Sequence, residues 1–173
     1  MIKYHTYSKG NTILETVIYV GLLGFILAFV FSSALGMYRA SINARVSRDV
    51  NNSAVASMDR ITRSVRDSYT ISTASSTLTT SPGVLSLTSA YATGGSGEIK
   101  FYTSGTALMM KNGTDTAISL LAPNVKVNSL IFYKVVTTHG EAVRYTITLT
   151  ASVGDKMINR TYYGTAVLRE SYQ

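Results

Sequence analysis

The stretch Lys9-Gly10-Asn11-Thr12-Ile13-Leu14-Glu15-Thr16, with the apolar run that follows it to Leu35, decides how the chain is read. Glu15 stands at the head of that run, and no further charge appears until Arg39. At ~1.5 Å per residue, a helix over residues 16–38 reaches about 34 Å, enough to cross a hydrocarbon core of about 30 Å. Leu14, Val17, Ile18, Leu22, Phe25, Ile26, Phe29 and Val30 surround such a helix, so it is embedded in lipid or protein rather than amphipathic. Gly21, Gly24 and Gly36 are small positions at which helices can approach closely. A carboxylate at the lip of a membrane span is costly unless it finds a partner. Lys3 and Lys9 precede the run and Arg39, Arg45 and Arg48 follow it, so the count of flanking cations does not set its orientation.

The helical pattern continues beyond the apolar run. Val46, Val50, Ala54, Met58, Ile61 and Val65 recur three or four residues apart and form one apolar stripe. Arg45 with Asp49, Asp59 with Arg63, and Arg63 with Asp67 stand four apart and can pair on the polar face. No proline interrupts the chain between Asn11 and Asp67. The spacing predicts one helix from about Thr12 to Asp67, softened at Gly36 and at Asn51-Asn52. Its second half would lay its stripe on a sheet.

Past Asp67 the period becomes two. Val143, Tyr145, Ile147, Leu149, Ala151 and Val153 alternate with Arg144, Thr146, Thr148, Thr150 and Ser152, which predicts a strand with one buried face. Residues 125–136 and 157–168 flank it, with turns at His139-Gly140 and Gly154-Asp155, so an antiparallel meander is expected. Shorter strands are expected at 84–88, 98–103, 107–111 and 116–121, with a turn at Asn112-Gly113 and Ser/Thr/Gly-rich loops at 72–83 and 91–97. The fold class expected is α+β: a long N-terminal helix, membrane-spanning in its first half and amphipathic in its second, packed on an antiparallel β-sheet.

Composition narrows the function. The chain has 173 residues and no cysteine, which rules out disulfides and thiol chemistry. Its formal net charge is +7, spread along the chain rather than gathered in a block. Arg39, Arg45, Arg48, Arg60, Arg63 and Arg66 could offer phosphate contacts to DNA or lipid, although a solvated, paired helix face is the plainer reading. His5 and His139 are far apart, and Asp115, Glu141 and Asp155 are single acids placed in turns. No nucleophile–base spacing, phosphate-cradling loop or metal-ligand cluster is evident, so neither an enzyme nor a cofactor is expected.

Gly10-Asn11-Thr12-Ile13-Leu14-Glu15, with a basic leader before it and an apolar helix after it, resembles the N-terminus of the type IV pilin family. That family includes minor pilins and the pseudopilins of type II secretion. The resemblance implies a leader over residues 1–10 removed by a prepilin peptidase that cuts between Gly10 and Asn11. Asn11 would then be the new, N-methylated terminus, although Phe or Met is usual there. It further implies a filament-core helix over 11–36, a stalk over 37–68 and an extracytoplasmic head over 69–173. Glu15 would guide filament assembly by pairing with the freed amino group of Asn11, and Gly24 matches a glycine frequent in the family's helix. Ser32 stands where major pilins often carry a kinking proline, which leans toward a minor pilin or pseudopilin. Other pilin or pseudopilin subunits and a membrane assembly platform would be the partners. The location implied is the cytoplasmic membrane, crossed once, and then a pilus or pseudopilus. The other reading is a singly anchored surface binding protein, an adhesin or a DNA-capturing pilin.

Overall fold

The structure is a computed structural model in which residues 12–93, 97–137, 140–153 and 156–168 are described. Helix α1 (Ile13–Arg66) is followed by eight strands: β1 (Thr70–Ile71), β2 (Leu85–Thr88), β3 (Glu98–Ser104), β4 (Ala107–Asn112), β5 (Ile118–Ser119), β6 (Val125–Thr137), β7 (Gly140–Val153) and β8 (Lys156–Val167). The class is α+β. The chain forms two compact units that divide after Ile42. The first holds the apolar part of α1. The second holds the rest of α1 and all eight strands.

Within the second unit, the strands form two antiparallel sheets, ordered β1-β2-β3-β4-β5 and β6-β7-β8. The three-stranded sheet is the expected meander, with Val125 opposite Ala151 and Thr137 opposite Gly140 in one ladder, and Ala142 opposite Val167 in the next. The expected turn residue His139 and the Gly154-Asp155 turn lie outside the described residues. In β7 the alternation holds: Val143, Tyr145, Ile147, Leu149 and Ala151 are buried. Thr150, on the face expected to be wet, is buried as well. Glu141 is not a turn residue. It lies in β7, pairs with Lys134 across the ladder, and accepts weak bonds from the Ile71 amide and the Thr70 hydroxyl. It thereby ties β1 of one sheet to β7 of the other.

The stripe on α1 is seated as expected, but it is wider. Val46, Val50, Ala54, Ile61 and Val65 are buried, and Ser53, Ser57 and Ser64 are buried beside them, while Met58 is only half-buried. Serines three and four residues from the apolar positions share the same helix face. Their small side chains let strands come close, and the hydroxyls of Ser57 and Ser53 have partners. Ser57 donates to the Ala54 carbonyl (3.0 Å), and Ser53 accepts from the Ala122 amide (3.3 Å).

Two expected features of the stalk differ. Asp59 and Arg63 form a two-pronged pair, with contacts of 2.9 and 3.0 Å. Asp49 leaves Arg45 and instead accepts from Asn124 Nδ2 (2.7 Å), because a fixed amide at the sheet end outcompetes a long, exposed guanidinium. Asn51 is an anchor rather than a soft point: its Oδ1 accepts from Arg160 Nη1 (3.0 Å) and from the Tyr162 hydroxyl (2.6 Å) on β8. The helix is unbroken there.

Tyr145 is the largest fully buried side chain. It stands opposite Gly164 on β8. Only a residue without a side chain fits there, because a methyl group at Gly164 would run into the Tyr145 ring. The ring passes over Gly164 to α1, where its hydroxyl donates to the Met58 carbonyl (3.2 Å) and shares a hydrogen bond with Thr62 Oγ1 (3.0 Å). Burial pushes the phenol above its ordinary value; the Thr62 bond pulls it back in part, and the Asp59 charge adds to the rise.

Gly164→Ala is expected to destabilise the second unit by about 1–3 kcal/mol, read by denaturant unfolding of the full chain. An unchanged midpoint would mean that the ring can move aside. Tyr145→Phe should cost about 0.5–1.5 kcal/mol near neutral pH, since it removes the hydroxyl that bonds the Met58 carbonyl and Thr62. The folded state holds the phenol proton more tightly than the unfolded chain does. That stability is complete below pH ~10 and is lost as pH rises through the raised folded value. The gap between wild type and Tyr145→Phe should therefore narrow above pH ~10, and a constant gap would refute the linkage.

Candidate functional site

The residues singled out from the sequence fall in the first unit. Thr12 caps α1: its Oγ1 accepts from the Glu15 amide (3.3 Å), and its carbonyl accepts from the Thr16 amide (3.2 Å). Thr12-Ile13-Leu14-Glu15 thus has the spacing of a capping box, a signal that was present in the sequence. Glu15 lies in the first turn, where the helix dipole favours a negative charge. Its carboxylate already has one partner within its own helix, the Tyr19 hydroxyl at 3.1 Å. Tyr19 sits one turn further on, at the i+4 spacing that brings side chains together. Among residues 12–41, Glu15 alone is half-buried. Gly10 and Asn11, expected to form the cleavage site and the methylated terminus, lie outside the described residues.

From Thr16 to Ser41 every residue of this unit is exposed. Phe25, Phe29 and Phe31 are exposed by 75%, 69% and 73%, values at which a soluble helix would be covered. The helix is long and apolar enough to cross a membrane, with a mean hydropathy of 2.4 over its best window and none of that window buried. Methyl groups at Gly21, Gly24 or Gly36 would touch nothing within 4 Å. The chain's own packing therefore does not require these glycines. Ser32, in place of a proline, donates to the Phe29 carbonyl (2.9 Å) and keeps the helix continuous.

In the second unit, α1 and the five-stranded sheet enclose a cleft of about 310 Å³. Ser89 builds one wall. Its hydroxyl donates to the Asp67 carbonyl (2.7 Å) and accepts from the Tyr91 amide (3.2 Å), which sets Tyr91 beside the helix end. Asn112, the last residue of β4, also lines the cleft, and a turn follows it. There Gly113 adopts φ 56°, and a side chain on it would strike the Thr93 carbonyl. Thr93 in turn donates to Asp115 Oδ2 (2.6 Å), so the two loops brace each other. Asn112-Gly113 signalled this turn in the sequence; nothing in the sequence signalled what it would face.

Elsewhere on the same sheet, Glu98 is held below its usual carboxylate range, chiefly by the Ser86 hydroxyl and then by Lys100. Among the described residues no three histidine, cysteine, aspartate or glutamate side chains come together in a metal-binding group. Comparison with known proteins gives no match to a family model, to a curated protein or to a solved structure.

Because Gly21 and Gly24 serve no contact inside the chain, replacing both with leucine should leave the thermal midpoint of the second unit unchanged. The same change should weaken helix–helix association by about fivefold, read by energy transfer between labelled chains in lipid vesicles. Equal association of both chains would mean that the glycines are not contact positions.

Proposed function

We propose that the chain is a non-enzymatic structural subunit of a type IV pilus or a type II secretion-like pseudopilus, of the minor pilin or pseudopilin kind. The single observation that carries this reading is the first unit: a capped helix with no charge from Thr16 to Tyr38, its apolar side chains bare, and one carboxylate in its first turn. Such a surface needs lipid before assembly and needs other helices after it. The leader stays on the cytoplasmic side, the strands lie on the far side of the membrane, and a prepilin peptidase cuts after Gly10.

Within a bundle of such helices, Glu15 is removed from water. The desolvation cost of a carboxylate there is offset only by a close cation and by hydrogen bonds. The freed amino group of a neighbouring subunit supplies the cation. Tyr19 supplies a hydrogen bond from the same helix and holds the carboxylate in one rotamer. An axial slip separates the charges, so the pair favours a single register over random insertion.

Mass spectrometry of the mature protein from its own cell should find a chain that starts at Asn11. An intact Met1 in assembled material would overturn the processing step. Glu15→Ala should insert into the membrane normally but be recovered in sheared filaments at a small fraction of the wild-type level; wild-type recovery would remove Glu15 from assembly. Tyr19→Phe should reduce recovery less than Glu15→Ala does, because it removes a positioning bond and leaves the charge.

A further inference from the structure

We propose that the cleft between α1 and the five-stranded sheet is a binding site for a single sugar ring. At about 310 Å³ it lies at the small end of ligand pockets, which run from ~300 to ~1,000 Å³. It is built for a neutral ligand rich in hydroxyls, and the argument rests on which polar groups already have partners.

Arg63 is occupied by Asp59 through both prongs of its guanidinium. Arg60, one turn earlier on the same rim, is not. Its Nε points at Met110 Sδ (3.1 Å), a weak acceptor, and its two terminal nitrogens have no acceptor among the described residues. Asp67 is seven residues on, just past the end of the helix. Its backbone carbonyl is taken by Ser89, but its carboxylate has no donor among the described residues. An open cation and an open anion therefore line one cleft without pairing with each other. An anion would be attracted by Arg60 and repelled by Asp67, and a cation the reverse. A hydroxyl both donates and accepts, so a polyhydroxylated ring satisfies both ends at once.

The remaining surface fits the same ligand. Met110 is buried and apolar in the floor of the cleft. Tyr91 lines the cleft and is 72% exposed, and the Ser89 bond to its amide fixes its backbone there. Its ring would give the C–H face of a pyranose an apolar platform, while the sugar's hydroxyls stay with Arg60 and Asp67. The proposal concerns the second unit alone and does not depend on filament assembly.

The test uses the full chain in lipid nanodiscs and saturation-transfer NMR, which also avoids sugar-based detergents. Methyl glucoside, methyl galactoside and N-acetylglucosamine are offered at about 10 mM, where millimolar affinity is visible. Glycine and glutamate serve as zwitterionic comparisons. We expect transfer to the ring protons of at least one sugar. Tyr91→Ala and Asp67→Asn should each weaken it about tenfold with an unchanged thermal midpoint, and Tyr91→Phe should retain it. If Tyr91→Ala does not fold, Asp67→Asn decides. The proposal is overturned if no sugar receives transfer, if transfer persists in Asp67→Asn, or if only the amino acids respond.

Discussion

The seating of α1 on its two sheets depends on small side chains along the buried face of the helix. Ser53, Ala54, Ser57 and Ser64 leave room for strand side chains to lie against the helix backbone. Tyr145 uses that room: its ring crosses Gly164 and its hydroxyl reaches the Met58 carbonyl and Thr62. A larger residue at any of these helix positions would push the sheet outward and break the contacts that depend on close approach. The hydroxyls of Ser53, Ser57 and Tyr145, placed so near the backbone, are buried and have partners, which makes the geometry specific as well as tight.

The same helix carries two different surface chemistries. Between Thr16 and Ser41 its apolar side chains are bare, while from Val46 onward its apolar side chains are mostly covered. Burial of apolar area drives both halves, but the second half finds it within the chain and the first does not. That asymmetry motivates an assembly role, since the first half is stable only where lipid or other helices replace water. Glu15 fits that view because the Tyr19 hydroxyl orients its carboxylate without neutralising it.

The cleft in the second unit lies between α1 and the five-stranded sheet, and loop bracing sets part of its rim. Ser89 joins the end of β2 to the end of α1, and Thr93 joins the following loop to the turn at Gly113. The segment before β2 is braced in the same manner: the Gly83 amide donates to the Leu130 carbonyl (2.8 Å), along the outer edge of β6. Loops pinned in this way fix the backbone, and here they set Tyr91 at the cleft that Arg60 and Asp67 also line.

Periodicity alone revealed the helix from 13 to 66, the meander of β6, β7 and β8, and the positions of β2, β3 and β4, because burial repeats every 3.6 or every two residues whatever the partner is. Charge-free length likewise revealed a helix able to span a membrane. Pairing choices were not legible. Asp49 chose Asn124 over Arg45, Asn51 became an anchor for β8, Glu141 joined β7 to β1, and Thr150 became buried. Each involves residues distant in sequence whose spacing carries no period. The two-residue strand β1 was missed because two residues are too few to show alternation. The serines of the helix face were missed for a different reason: a small polar residue reads as surface until a strand is laid on it. What the sequence by itself determined is therefore the type and approximate extent of the longer elements and the apolar side of each, which follow from local repetition. What only the tertiary structure decided is which polar groups meet and which are left open, because that depends on where distant segments come to rest.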